Sequence, residues 1–325
     1  MNRRIGLTTL CLALLVVLMG TACAPQDQAA ANYPARDLTL IVPLNAGGGY
    51  DLTARMLVPF LQKNLPKQVN IVVKNLGAAG GREGYFELYD APADGYTIGL
   101  VDPGILAMAQ VLGQAGTRDA NKMTYLGRAA YQPFLLVLSA ANYKSADQIK
   151  GKPIRASETL LNQAGATLLL RALGATPTFI LYNGSADAIL AAARGESDAS
   201  ALTFATMWKA VGDQQGKIIP VMVASQKRLP QAPDVPTPGD LGLKMSDGDI
   251  ATAGGQYVIV APPNVPAAIK KTLEDAVQKA LRDPDFIAQM NKANYMPDVL
   301  TGDETAKMAA GMLSSYMSMK DILPK

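Results

Sequence analysis

"LIVPLNAGGGYDLTAR", residues 40–55, is the stretch on which the fold turns. An apolar run meets three consecutive glycines, Gly47, Gly48 and Gly49, and a helical pattern follows. Glycines between a strand and a helix let an anion approach the helix N-terminus, where backbone N–H groups lack partners. Downstream, Leu52, Met56, Leu57, Phe60 and Leu61 repeat with a helical period. Asp51 is placed to cap that helix, and Pro59 is expected to kink or shorten it.

The pattern then repeats. "VNIVVKN" reads as a second strand and "GAAGGREGYFELYDA" as a second glycine-rich turn feeding a helix. "DGYTIGLVD" reads as a third strand opened by a D-G turn. Strands alternating with helices predict a parallel sheet in an α/β domain. A second region of this kind follows. "PFLLVLSA", "PIRAS", "PTFILYN", "DASALTF" and "IIPVMVAS" are strands, while "ETLLNQAGATLLLRALGA" and "GSADAILAAARGE" are helices. The Pro-, Gly- and Asp-rich residues 226–248 lead to a strand, "GQYVIVAPP", and to closing helices. These elements predict two α/β lobes: residues 33–128 with 253–325, and residues 129–252.

The N-terminus is a separate signal. "MNRR", the apolar "IGLTTLCLALLVVLMG" and the small-residue "TACA" have the anatomy of a secretory signal over residues 1–22, followed by a tether over 23–32. Two cleavage readings compete. "LMGTAC" resembles a lipoprotein box with a lipidated Cys23, and Ala22-Cys23-Ala24 fits ordinary signal peptidase. The lipoprotein reading is preferred, because it gives the cysteine a reason to be there. Ala24 after it would sort the protein to the outer membrane of a Gram-negative host.

Composition narrows the chemistry. Cys11 and Cys23 are the only cysteines, so the mature chain has no disulfide framework and no thiolate metal site. Removing Arg3 and Arg4 takes the formal charge from +3 to +1, which argues against nucleic acid as a partner. There is no histidine, which excludes a Ser-His-Asp triad and histidine-ligated zinc. Neither S-x-x-K nor G-x-S-x-G occurs. No metal or cofactor is expected. Met308, Met312, Met317 and Met319 read as helix packing in preference to copper ligands. "SDGD" at 246–249 reads as a turn.

The two glycine turns are not nucleotide sites: neither carries G-x-G-x-x-G, and G-x-x-x-x-G-K-[ST] is absent. What remains is a pair of backbone-amide cradles. The first comprises Asn45, Ala46, Gly47, Gly48, Gly49, Tyr50 and Asp51, the second Gly77, Ala78, Ala79, Gly80 and Gly81. In a parallel sheet both lie at the carboxyl ends of their strands and share a crevice. Two such cradles without Arg or Lys suit a carboxylate.

"YPARDLTLIVPLNAGGGYDLTAR", "VVKNLGAAGG" and "APADGYTIGL" follow one another as in the extracytoplasmic solute receptors of tripartite tricarboxylate transporters, the Bug-type receptors. "YNGSADAILAAARGESDA", "RLPQAPDVPTPGDLGL" and "YVIVAPPNVP" resemble later segments of that family. The resemblance covers nearly all of residues 33–290. It implies a two-lobe, type II-like periplasmic-binding-protein fold that closes like a clamp. It also implies an organic-acid ligand held by amides and ordered waters of the two first-lobe turns, a membrane permease as partner and no cofactor; no enzymatic activity is expected. We expect a monomer. A ligand-presenting sensor, or a histidine-free hydrolase, is the alternative. Tyr50 stands where the family usually has Thr or Ser, Leu76 where it has Pro, and "ASETLLNQAGA" where it has a Gly- and Ser-rich turn.

On the second lobe the candidates are Ser157, Glu158, Thr159, Tyr182, Gly184, Ser185 and Phe204. Ser157, Thr159 and Ser185 are placed to offer hydroxyls at helix starts. Tyr182 matches a family position before the second-lobe turn, as contact or core. Trp208, the only tryptophan, is expected to report packing. Asp102 ends the third strand, and Glu158 sits in "ASET". The plain expectation is that Asp102 starts a turn and Glu158 enriches a first helical turn, both facing water. The sharper one is that they accept hydrogen bonds from a hydroxyl or amino group on the ligand.

Overall fold

The computed structural model describes residues 32–182, 184–321 and 323. The signal, Cys11, Cys23 and most of the tether lie outside the described residues. Among those described, no helix is long and apolar enough to cross a membrane.

The first lobe begins as expected. β1 (Leu38–Val42), α1 (Gly49–Asn64), β2 (Ile71–Asn75), α2 (Arg82–Tyr89), β3 (Thr97–Val101) and α3 (Pro103–Val111) alternate, and β1 pairs in parallel with both β2 and β3. Alternating strands and helices force parallel crossovers, which brings the turns after β1, β2 and β3 to one edge. α1 continues for five residues past Pro59, so the proline does not shorten it. Leu57 and Leu61 are buried on its inner face, each contributing about 1.5–3 kcal/mol by the area it removes from water.

The two lobes share one long strand. β4 (Thr124–Ser139) is sixteen residues, twice the length of "PFLLVLSA". Its first part, Thr124–Pro133, pairs antiparallel with β9 (Gly254–Ala261), and its second, from Phe134, pairs with β7 (Ala199–Thr203). Register shifts between Tyr125 and Gly127 and between Arg128 and Ala130 break the alternation there, which hides the strand from a period-two reading. The second half-sheet adds β5 (Pro153–Glu158), β6 (Thr176–Leu181) and β8 (Ile218–Val223), giving the order β2-β1-β3-β9-β4-β7-β5-β6 with β8 on β4. α4 (Gln163–Ala172), α5 (Ser185–Ala193) and α6 (Phe204–Asp213) cover it.

The chain returns through α7 (Asp247–Thr252) and β9. "SDGD" is a helix start and not a turn: Ser246 and Asp249 close a reciprocal capping box. α8 (Ala267–Leu281), α9 (Pro284–Lys292), β10 (Pro297–Leu300) on β4, and α10 (Gly302–Ser318) finish on the first lobe. In and beyond α10, Met312 and Met319 are buried and Met308 packs beside them, while Met317 is exposed. Two apolar clusters flank the first half-sheet and two the second, so both sheets are covered on both faces.

Candidate functional site

The first turn closes on itself. Gly48 is the N-cap of α1, and Asp51, expected there, lies inside the first helical turn. The buried Asp51 carboxylate accepts the Gly47 N–H at 2.8 Å and pairs with Arg55 at 2.9 Å. The Arg55 hydrogen bond, with that of Gly47, holds its carboxyl below the usual range. Asp51 therefore uses the Gly47 amide for the fold. The amides of Gly49, Tyr50 and Asp51, the first of a sixteen-residue helix, have no intrahelical acceptor.

The second turn packs directly on the first. A Cβ on Gly77 would lie 2.1 Å from Asn45 Oδ1, and one on Gly81 would lie 2.2 Å from the Pro43 carbonyl. Ala79, Gly80 and Gly81 all have left-handed backbone, at φ 50°, 67° and 92°. Gly77 and Gly81 are thus required by packing. Gly47 and Gly80 face open space, and Gly48 meets only the Asn45 carbonyl at 3.4 Å. Asn45, Ala46, Gly47, Gly48, Ala78, Ala79 and Gly80 are exposed.

Asp102 is half-buried at the inner pocket of the cleft, and its carboxylate is engaged by the protein. It caps α3, its Oδ1 accepting the Gly104 N–H at 2.8 Å, while its Oδ2 accepts the Tyr50 hydroxyl at 2.8 Å and the Gln256 N–H at 3.1 Å. Burial raises its carboxyl pKa against the lowering effect of these bonds. Tyr50 is pushed well above its usual range by burial and by Asp102. Its ring stacks on Tyr257, with centroids 4.2 Å apart. Tyr295 meets Tyr257 edge-on and donates its hydroxyl to the Gly49 carbonyl at 3.2 Å. This aromatic trio ties the first turn to β9 and to the chain between α9 and β10.

The second lobe treats its candidates unequally. Ser157 lies in β5 and not at a helix start; its hydroxyl donates to the Ala188 carbonyl at 2.7 Å inside the core. Glu158 ends β5 and is fully buried instead of facing water, with Oε1 accepting the Ala201 N–H at 2.6 Å. Its Oε2 has no partner among the described residues, and burial pushes its pKa well up. Thr159, Tyr182, Gly184 and Ser185 are half-buried at the strand ends. Neither Thr159 nor Gly184 provides a side-chain cap, and Tyr182 donates its N–H to the Glu158 carbonyl. Phe204 starts α6, a helix not foreseen from the sequence, and stacks on Trp208 at 5.5 Å.

The lobes meet across a cleft. Its inner pocket, about 100 Å³, brings Tyr50, Asp102, Asn162 and Thr203 together. A larger cavity beside it, about 870 Å³, is lined by Gly49, Gln132, Phe204, Trp208, Tyr257 and Tyr295. Gln132, Tyr257 and Tyr295 escaped the sequence reading; only the bare presence of aromatics near "GQYVIV" and "NYMPDV" pointed there. Ser157 and Glu158 line neither space.

Two α/β lobes joined by a shared strand, with paired glycine turns on one wall of the cleft, define a two-lobed periplasmic-binding-protein fold. The chain belongs to a family of solute receptors: the description "Tripartite tricarboxylate transporter family receptor" matches residues 53–319. Among relatives, BugT of Bordetella pertussis is 26% identical over 320 residues, covering 94% of each chain. A TctC solute-binding protein from Polaromonas, solved without ligand, superposes with a TM-score of 0.73 at 20% identity, over 89% of this chain and 99% of that one. MatC from Rhodopseudomonas palustris with bound malate gives 0.67 at 23% identity, over 89% and 100%.

Proposed function

We propose that the protein captures a small organic acid in the cleft, outside the cytoplasm, and delivers it to the permease subunits of a tripartite transporter. The observation that carries this reading is the start of α1. Unpaired helix amides sit beside an open, glycine-lined turn and face the second lobe across the cleft. A carboxylate there gains backbone hydrogen bonds and the favourable end of the helix dipole. The malate held by MatC supports an acid as the ligand class. In this reading residues 33–128 with 253–325 and residues 129–252 move as two bodies. The contacts come from the first turn, from Ala78–Gly80, and from Thr159, Tyr182, Gly184, Ser185 and Phe204 on the other side. Cys23 is acylated and tethers a monomer to the outer membrane. Isothermal titration with a panel of mono- and dicarboxylates tests the proposal. A micromolar or tighter acid supports it, and silence across the panel ends it.

A further inference from the structure

Gln132 lies on β4 where the strand passes between the lobes, and it is 2% exposed. It lines the 870 Å³ cavity, yet neither Nε2 nor Oε1 has a partner among the described residues. A buried polar group left unpaired is costly, so an orphaned carboxamide beside a cavity marks a place for a ligand. Other polar side chains along the cleft and on β9 are already engaged. Asp102 accepts three hydrogen bonds, and the Gln256 carboxamide donates to the Ala251 carbonyl at 2.8 Å and accepts from Arg128 at 3.1 Å.

The rest of the cavity says what the ligand carries. Gly49 begins the sixteen-residue α1, and Phe204 begins the ten-residue α6; both helix N-termini border the space and favour negative charge. Phe204, Trp208, Tyr257 and Tyr295 make its walls aromatic. A carboxamide presents a donor and an acceptor side by side. An ionised carboxylate only accepts, so alone it would satisfy Nε2 and leave Oε1 unpaired. A hydroxyl on the neighbouring carbon fills the second place by donating to Oε1.

We propose that Gln132 is a specificity-determining residue that reads a hydroxyl next to the carboxylate, and that the preferred ligand is an aromatic 2-hydroxy acid. This rests on the organic-acid reading and names the class of acid. Trp208 is the only tryptophan in the chain and lines the cavity, so its emission reports occupancy directly. The test titrates the mature protein with 3-phenyllactate, 3-phenylpropionate, malate and succinate, following Trp208 fluorescence, for wild type and Gln132→Leu. Gln132→Met serves if leucine compromises folding, as judged by far-UV circular dichroism. Wild type should prefer phenyllactate to phenylpropionate at least tenfold, and the variant should reduce that ratio to within twofold. Equal affinities for that pair in wild type, or a preference that survives in the variant, overturn the role of Gln132. Malate binding as tightly as phenyllactate overturns the aromatic class. Each of these failures leaves acid capture standing; no response to any of the four acids overturns the proposed ligand class, and silence across the wider carboxylate panel by calorimetry as well overturns the organic-acid reading itself.

Discussion

A carboxylic acid sealed in a core keeps its proton, because the ionised form loses its hydration without replacement. Glu158 is in that position: it is fully buried, holds one hydrogen bond and has a raised pKa. Below about pH 4.3 it is protonated in both folded and unfolded chains. As pH rises the unfolded chain ionises while the folded one does not. Stability therefore falls at about 1.4 kcal/mol per pH unit until the folded pKa is reached. Glu158→Gln keeps the Oε1 acceptor for Ala201 and removes this slope. Urea unfolding at pH 5 and pH 7 should show the variant gaining on wild type as pH rises; parallel curves would mean that Glu158 ionises freely. Gly48 offers a second test at this scale. Its φ is −79° and no neighbour lies closer than 3.4 Å, so Gly48→Val should cost about 1 kcal/mol or less. It should nevertheless weaken acid binding at least tenfold by blocking approach to the α1 amides. Gly80→Val is the poorer test, since φ 67° strains a β-branched residue whatever the ligand does.

At the scale of elements, two turns that look alike in sequence have different physical duties. Gly81 combines φ 92° with a carbonyl 2.2 Å from where a Cβ would stand. Gly81→Ala should lose roughly 2–4 kcal/mol from backbone strain and overpacking together. A variant with an unchanged denaturation midpoint would show that the turns are not packed as described. The α10 start makes a milder case. Thr301 and Glu304 form a capping box, so Thr301→Ala should cost about 1 kcal/mol, read in the same denaturation experiment. The division of labour among the glycines was not legible in "NAGGGYD" or "GAAGG". A glycine tolerates left-handed backbone, close approach or neither, and the letter is the same in each case.

For the whole molecule, the shared strand β4 and the returning β9 connect the lobes, and a clamp motion would turn about them. Tyr131 sits at this connection, its hydroxyl donating to the Ile250 carbonyl at 2.6 Å and lying 2.8 Å from that of Ala224. Gly254 leaves room for that ring, since a Cβ there would come within 2.2 Å of it. A ligand that bridges the lobes should close them. Small-angle scattering should then show a smaller radius of gyration with saturating acid, and an unchanged radius alongside proven binding would remove the clamp motion. At a hundred times its dissociation constant such a ligand should also stabilise the fold by about 2.7 kcal/mol, raising Tm. Anchoring is a separate question. If Cys23 is acylated, Cys23→Ser should move the protein from the membrane fraction to the soluble one; wild type already soluble would favour cleavage by ordinary signal peptidase.

By itself the sequence determined the alternation of strands and helices, the two glycine turns after β1 and β2, and the exclusion of histidine chemistry. These are local properties: a period, a backbone permission, a missing side chain. It took the tertiary structure to set that Asp51 takes the Gly47 amide, that Asp102 is tied to Tyr50 and Gln256, that Glu158 is buried, and that Ser157 points into the core. The first half of β4 emerged there too, because its bulges break the alternation by which a strand is recognised. So did the cavity of Gln132, Tyr257 and Tyr295, whose members come from β4, β9 and the chain beyond α9. Periodicity records that a residue faces inward. Which partners meet it there, and whether any atom is left unpaired, is set by contacts with other segments, from four positions away for Asp51 and Gly47 to 154 for Asp102 and Gln256.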